Sequence, residues 1–472
     1  MFKKTVLNNG LRIITVPQKS TQAVTVLVLV GTGSKYEKKE TNGISHFLEH
    51  MFFKGTKKRP TTVAIAETLD RVGGIYNAFT GEEYTGYFAK VDSSHLDMAL
   101  DWVSDVYFNS LLPEKEIERE KGVIIQEINM YKDHPMSYVG ILWSKLLYGD
   151  QPAGWPISGT KESVSKIYRQ NLISYMEKQY VASNTIVCVS GNIEIQKTLG
   201  KIKRYFSKIK TVIPFKKPQV FDASVNSASI TRAQRRVEAK KTSFSSLPSL
   251  PLRESSVKNE CSSSLSKVKR VGRQTKPECL LLERKTDQTH LCLGARAYNL
   301  FHPQKYAQEL LGIILGGMMS SRLFIKVRER LGIAYYVNTV VSADPDTGSL
   351  VTQAGIQNQK VEKGIQVILK EYKKIARTKL PEKELKKAKD HLKGKMTLLL
   401  EASDAQASFY GTQELLEKKI LTPEKIYREI DKVSLIDIQR VAKDIFQPQK
   451  LNLALIGPFK DKKIFEKILK SQ

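Results

Sequence analysis

The sequence predicts an α+β fold of two similar half-chain lobes, each an α/β sandwich in which a mixed β-sheet packs against helices. Two observations support this prediction. A chain of 472 residues is too long for one compact core. In addition, an amphipathic helix followed by a short buried strand ending in glycine occurs twice, at residues 172–180 with 185–191 and at residues 435–443 with 451–457. We therefore expect a duplicated architecture with a functional site between the lobes.

The segment between the two halves differs from both in composition. Residues 221–276 are rich in serine, lysine and arginine, contain few aromatic residues and show no sustained hydrophobic period. Such a segment cannot bury enough surface to offset the entropy lost on ordering. We predict an N-terminal domain at 1–220, a flexible, disordered linker at 221–276 and a C-terminal domain at 277–472. The alternative for the linker is a basic docking arm for an acidic partner or nucleic acid.

Composition narrows the class of protein. The hydrophobic content of 41% is that of a globular chain, and no apolar stretch is long enough to predict a transmembrane helix. The N-terminus lacks the apolar core of a secretory signal, and the four cysteines lack a metal-ligand spacing, which favours reduced thiols and a cytoplasmic location. The formal net charge of +28 could attract nucleic acid, but the lysines are spread over both halves and no nucleic-acid motif is present.

The stretch from His46 to His50 carries most of the functional information. Positions i and i+4 of a helix lie on the same face, so His46 and His50 can bind one metal ion together. Glu49 projects from nearly the same side, which suits a base acting on a metal-bound water. Two histidines leave a catalytic zinc site incomplete, because such sites usually combine three protein ligands with an open position.

A second predicted helix carries candidates for the missing ligand. Pro113 and Glu114 predict its start, because proline fits the first turn and acidic residues favour the helix dipole. Apolar residues then recur at helical spacing: Ile117, Ile124, Ile125 and Ile128. Glu120 and Glu127 lie one heptad apart and share a face of this helix. On the helix pattern alone, a glutamate at such a position is usually a solvated surface residue.

These motifs together resemble the pitrilysin/insulysin family of zinc metallopeptidases. The similarity is closest to its half-length branch, which includes the mitochondrial processing peptidase subunits and bacterial processing-type peptidases. The resemblance implies His46, His50 and Glu127 as the ligands of one Zn²⁺ per chain and Glu49 as the general base. It also implies that Glu120 supports the site by orienting a ligand histidine. The second half lacks the histidine motif, which is why only one zinc is expected.

The resemblance also implies a substrate-binding strand. Residues 73–80 resemble the family's active-site edge strand, to which a peptide substrate adds as an extra strand. Gly74, Asn77 and Ala78 are therefore expected to contact substrate.

A segment of the second half resembles the part of the family that places an arginine and a tyrosine over the zinc. By this resemblance Arg328 holds a substrate carbonyl and Tyr335 donates a hydrogen bond to the developing oxyanion. The adjacent Tyr336 leaves open which tyrosine reaches the metal, and we take Tyr335.

The function expected from these residues is that of a zinc metalloendopeptidase acting on short or unfolded polypeptides. Half-length relatives often act as dimers, so we expect a homodimer or a heterodimer with a related subunit. The alternative is a non-catalytic partner or scaffold subunit of a processing peptidase-like complex, although such relatives typically lose the motif that this chain retains. A nucleic-acid-binding role rests on charge alone.

Overall fold

The computed structural model describes residues 2–211 and 274–471 and shows a mixed α/β architecture with two β-sheets and many helices. This confirms the predicted fold class. The predicted linker at 221–276 lies outside the described residues apart from its last three, so the linker and the domain limits stay predictions. Within the two described ranges, no helix combines the length and the hydrophobicity needed to cross a membrane.

The strands are numbered in chain order: β1 (Lys3–Val6), β2 (Arg12–Pro17), β3 (Ala23–Val30), β4 (Ile75–Thr80), β5 (Thr85–Asp92), β6 (Thr185–Gly191), β7 (Glu278–Glu283), β8 (Gln288–Arg296), β9 (Ala334–Ala343), β10 (Gly348–Gln357) and β11 (Leu451–Gly457). The helices of the first half are α1 (Ile44–Phe52), α2 (Thr62–Asp70), α3 (Leu96–Asn109), α4 (Glu114–Asp133), α5 (Pro135–Tyr148), α6 (Lys161–Ser165), α7 (Arg169–Gln179) and α8 (Ile195–Phe206). Those of the second half are α9 (Lys305–Gly316), α10 (Val361–Arg377), α11 (Glu382–Leu399), α12 (Ser403–Leu416), α13 (Pro423–Lys432), α14 (Leu435–Ile445) and α15 (Lys463–Lys470), together with a π-helix at Phe324–Arg330.

The first sheet has the strand order β1-β2-β6-β3-β5-β4. Strands β2 and β6 are parallel, and all other neighbours pair antiparallel. The central β3 has the sequence Ala-Val-Thr-Val-Leu-Val-Leu-Val, an almost continuous run of residues that favour strands, and it is buried along nearly its whole length. Strand β4 forms one end of this sheet, as predicted for residues 73–80.

The second sheet repeats this plan with the order β7-β11-β8-β10-β9. In each sheet the strand that follows the repeated helix lies between one parallel and one antiparallel neighbour: β6 between β2 and β3, and β11 between β7 and β8. The repeated helices themselves are α7 and α14. The duplication predicted from the helix–strand echo is therefore present in the fold.

Each lobe contributes one helix to the sheet of the other lobe. Helix α5 of the first half packs on the second sheet. Its side chains share a core with Cys292, Ala454 and Ile456 of that sheet, and the contributing residues of α5 are Val139, Leu142, Trp143 and Leu147. Helix α12 of the second half packs on the first sheet through Ala407, Tyr410 and Leu415, which contact the face formed by Ile14, Val16, Leu27, Leu29, Ile186 and Cys188. This exchange buries apolar surface at the lobe boundary and joins the halves.

Candidate metal centre and active site

Helix α1 presents the two histidines of the motif toward one point. Their Nε2 atoms lie 3.3 Å apart, and both rings are largely buried. The helix starts after Gly43, whose φ of +96° is a conformation that a side chain would strain. A Cβ there would also come within 2.7 Å of the carbonyl oxygen of Ser158, so the local fold requires glycine at this position.

Helix α4 brings the carboxylate of Glu127 to the same point. Its oxygens lie 3.6 Å from Nε2 of His46 and 3.5 Å from Nε2 of His50. One donor atom from each of these three residues falls within 4.8 Å of the others. Helices α1 and α4 pack against each other because α4 buries its apolar face, including Ile117 and Ile124.

The separations of these donor atoms fit a zinc ion. Two nitrogen ligands of a tetrahedral zinc, each bonded at about 2.0–2.1 Å, are about 3.3 Å apart. This is the separation found between His46 and His50. Two imidazole lone pairs facing each other also need a proton or a cation between them, and the carboxylate of Glu127 adds the negative charge that favours a cation.

Glu120 fixes the orientation of His50. Its carboxylate accepts a 3.0 Å hydrogen bond from Nδ1 of His50, so that Nε2, once it has lost its proton, can bind a metal. The other oxygen of Glu120 forms a 2.7 Å ion pair with the ammonium of Lys54. Burial would raise the pKa of Glu120, but the hydrogen bonds to His50 and Lys54 lower it, so the carboxylate stays ionised.

The two histidines differ in electrostatic environment. Burial lowers the pKa of His46, and the charge of His50 lowers it further. Burial alone would lower the pKa of His50 too, but hydrogen bonds to Glu120 and Glu127 raise it. The hydrogen bond from His50 in turn lowers the pKa of Glu127, so this carboxylate is ionised at neutral pH, the form that binds a metal.

Glu49 faces the same cavity as the metal-ligand candidates. Burial raises the pKa of its carboxyl group, while a 2.6 Å hydrogen bond from the hydroxyl of Thr80 opposes that shift. The cavity has a volume of about 530 Å³ and is lined by His46, Glu49 and Glu127 together with Thr80. The rest of its wall comes from β4, from α5 and from the segment 155–158, together with Glu82 and Tyr131. A raised carboxyl pKa in a cavity is typical of acid–base residues.

The predicted substrate strand lies beside this cavity. Ala78 lines it, whereas Gly74 precedes the start of β4 and is not part of the strand. The side chain of Asn77 is exposed, and its Oδ1 accepts a hydrogen bond from the N–H of Ala78. In the described part of the chain β4 pairs only with β5, so its outer edge is open to another strand.

Arg328 and Tyr335 lie next to each other but not in the cavity wall. The guanidinium of Arg328 is 5.9 Å from the ring of Tyr335, and Tyr335 is 74% exposed. Arg328 belongs to the π-helix, a rare element often found at functional sites. Tyr336 differs, since its hydroxyl bonds to Nδ1 of His290. Neither Arg328 nor Tyr335 lines the cavity that Glu49 faces.

Three residues that bear on the site were missed by sequence reasoning. Thr80 contacts Glu49, Lys54 contacts Glu120, and the buried carboxylate of Glu37 accepts hydrogen bonds from the N–H groups at the start of α1. Lys54 follows His50 by four residues, which is the one spacing that could have indicated a shared partner. Thr80 and Glu37 had no such signal, because only the tertiary fold brings them to their partners.

Known protein families and individual relatives match nearly the whole chain. Residues 12–161 match the insulinase family, peptidase family M16, and residues 166–392 match the peptidase M16 inactive domain. The chain is 32% identical to the uncharacterized zinc protease YmxG of Bacillus subtilis over 97% of this chain and 98% of that protein. It is 31% identical to an uncharacterized zinc protease of Rickettsia felis, again over 97% of this chain and 98% of that protein.

Solved structures share the fold at low sequence identity. A protease from Helicobacter pylori superposes with a TM-score of 0.80 at 20% identity, covering 97% of this chain and 99% of that chain. A peptidase M16 inactive domain protein from Pseudomonas fluorescens gives 0.79 at 16%, covering 97% and 98%. A chain of Complex III2 from Candida albicans gives 0.75 at 17%, covering 99% of each. At these identities the likeness shows the fold alone.

Proposed function

Because the chain belongs to the insulinase family of peptidases, family M16, we propose that it is a zinc-dependent endopeptidase that hydrolyses peptide bonds of short or unfolded polypeptides. The family membership predicted from the motifs is thereby confirmed. Relatives named zinc proteases align with nearly the whole chain, which supports protease activity for this protein.

The observation that carries the proposal is that one cavity combines a metal-ligand set with a carboxyl group of raised pKa. His46, His50 and Glu127 converge at separations that fit zinc, and Glu49 lines the same cavity. A bound zinc ion lowers the pKa of a coordinated water to about 7 and polarises a carbonyl group. One such ion per chain is proposed, because the described residues contain a single cluster of this kind.

Glu49 acts as the base and then as the acid. Its carboxylate takes a proton from the attacking water and passes that proton to the leaving amine, a double role that a carboxyl group of raised pKa can fill. Thr80 holds the carboxylate through one oxygen, which leaves the other oxygen available for the proton. Glu120 orients His50 throughout and takes no part in the proton transfers.

Substrate binds as an extended strand on the open edge of β4. The main chain of the peptide pairs with β4 near Asn77 and Ala78, and reaches toward Gly74, which directly precedes the strand. Strand addition selects extended or unfolded segments over folded domains. We further propose that Arg328 holds a substrate carbonyl and that Tyr335 donates to the oxyanion. Tyr335 is preferred over Tyr336 because its side chain is exposed.

The second candidate is a non-catalytic partner or scaffold subunit. The occurrence of the fold in Complex III2 of Candida albicans is the observation that favours it. The retained ligand set and Glu49 argue for the enzyme.

We also propose that the chain forms a dimer, with itself or with a related subunit, and that it is cytoplasmic. The location is supported by the described cysteines, which are all buried free thiols: Cys188, Cys279 and Cys292.

The test compares the wild type with Glu49→Gln in zinc content and in cleavage of an unstructured peptide. We expect one zinc per chain in both proteins and a loss of turnover of about 10²–10⁴-fold in the variant. Zinc-loaded wild type that cleaves nothing would favour the partner-subunit alternative. Failure of the wild type to bind added zinc would overturn the proposal.

A further inference from the structure

Lys35 is a fully buried lysine at the boundary between the two lobes. Its ammonium lies 2.9 Å from Oδ2 of Asp344 and 3.4 Å from Oδ1 of Asp346. It also donates a 2.9 Å hydrogen bond to the hydroxyl of Thr347. These three partners form the turn between β9 and β10 of the second lobe.

The same ammonium also binds the turn between β4 and β5 of the first lobe. It lies 3.0 Å from Oε2 of Glu82 and 3.2 Å from Oε1 of Glu83. The backbone reinforces this contact, since the N–H groups of Ser34 and Lys35 donate to the carbonyls of Gly81 and Glu82. One side chain therefore joins the hairpin turns of both lobes.

The charges at this point make the lysine difficult to replace. A buried ammonium is stable only when it is paired, and here four carboxylates surround it. Burial alone would lower the pKa of Lys35, but the four carboxylates raise it well above its usual value, so the side chain remains charged. Loss of this charge would leave carboxylates of the two lobes facing one another and repelling.

Two first-lobe segments connect Lys35 to the metal centre: the segment that follows Lys35 itself and the turn between β4 and β5. Two residues after Lys35, the carboxylate of Glu37 accepts hydrogen bonds from the N–H groups of Gly43 at 2.7 Å and Ser45 at 2.9 Å. These groups begin α1, which carries both histidines. On the other side, Glu82 lines the cavity and follows β4, whose Thr80 binds Glu49.

We propose that Lys35 is a positioning residue through which the second lobe fixes the start of the metal-binding helix and the end of the substrate strand. The inference rests on the proposed function for its catalytic consequence. It assigns the second lobe a role in the metal centre although that lobe supplies none of the candidate metal ligands.

Amide hydrogen exchange in metal-free protein tests the connection without using activity. In Lys35→Met we expect exchange of the amides of Ser34, Gly43 and Ser45 to accelerate by more than about tenfold, because opening of this segment becomes easier. Lys39→Met is the matched control, since Lys39 forms an exposed ion pair with Asp150 and should leave these amides unchanged. Zinc affinity, measured by competition with a chelator, should fall in Lys35→Met only.

A change confined to the second lobe makes the test stricter. Thr347→Val keeps the size and charge of the side chain and removes the hydrogen bond that its hydroxyl accepts from Lys35 and the one that it donates to Asp344. We expect exchange of the same first-lobe amides to accelerate by about fivefold, which is less than in Lys35→Met. If Lys35→Met fails to fold, the exchange rates of these amides in Thr347→Val test the inference in its place.

Unchanged exchange in the folded variants, or faster exchange with unchanged zinc affinity, would overturn the inference. If Lys35 had only a structural role, Lys35→Met would lower the melting temperature. Zinc affinity and KM, measured at temperatures well below melting, would then be unaltered. Absence of zinc binding and cleavage in the wild type would instead refute the proposed function, whereas accelerated exchange would still support the connection between the lobes.

Discussion

The hydroxyl of Thr80 donates a 2.6 Å hydrogen bond to the carboxylate of Glu49. This contact joins the last residue of the edge strand β4 to the proposed base on α1. Substrate that adds to β4 would therefore lie against a strand whose end already holds the catalytic carboxylate. In the proposed mechanism, the side chain of Thr80 therefore links substrate binding to proton transfer.

Replacing Thr80 with valine should shift the pH dependence of catalysis. Burial raises the pKa of Glu49 and the Thr80 hydroxyl opposes that shift, so removing the hydroxyl should raise the pKa further. Because the base must be ionised, the acid limb of the kcat/KM profile should move to higher pH. The profile of Thr80→Ser, which keeps the hydroxyl, should match the wild type. A Thr80→Val profile with an unmoved acid limb would count against Glu49 as the base.

Lys54 should affect zinc affinity without being a ligand. Its ion pair holds Glu120 against His50. We expect Lys54→Met to weaken zinc binding by about 10–100-fold, the range typical of groups that orient a metal ligand. Chelator competition measures this, and Lys57→Met, at an exposed position three residues away, serves as the control. Equal affinities in the two variants would show that Glu120 holds His50 unaided.

Glu37→Gln should destabilise the protein, because it turns one acceptor oxygen at the start of α1 into a donor facing N–H groups. The expected loss is about 1–3 kcal/mol in the free energy of unfolding, measured with urea on metal-free protein. Glu40→Gln, at an exposed position, should change it little.

The stability difference between wild type and Glu37→Gln should depend on pH. Burial raises the pKa of Glu37 from 4.5 to about 7, although the hydrogen bonds at the helix start oppose the rise. A carboxyl group with a raised folded-state pKa binds more protons when folded, so its contribution is present below pH 4.5 and is lost as the pH rises through about 7. The wild type should therefore exceed the variant by more at pH 5 than at pH 8. A gap that widens with pH would contradict the assignment.

Helices α5 and α12 each pack on the sheet of the other lobe, so we expect the stability of each lobe to depend on the other. Leu147 of α5 is buried in the core shared with the second sheet. Leu147→Ala should lower the free energy of unfolding by about 2–5 kcal/mol, as for other buried leucines. Leu398→Ala, at a leucine that is 76% exposed, should have little effect. Calorimetry should also show whether both lobes still unfold together.

The sequence alone determined the elements whose signals are local. The spacing of His46 and His50, the helix start at Pro113 and Glu114, and the repeated helix–strand unit all depend on neighbours within a few turns, and the structure shows each of these elements. Their periodicity follows from helix and strand geometry, which a sequence displays directly. The role of Glu127 needed the family resemblance, because nothing local distinguishes it from a solvated glutamate.

Only the tertiary structure decided which distant groups meet. Thr80 reaches Glu49, and Lys35 reaches Asp344, across separations along the chain that carry no periodic signal. Such contacts form because burying apolar faces of sheets and helices brings the intervening polar groups together, and those groups must then find partners. The same burial placed Arg328 and Tyr335 beside each other outside the cavity wall. The local pattern therefore specified the chemistry available, and the packing of the two lobes specified which side chains control it.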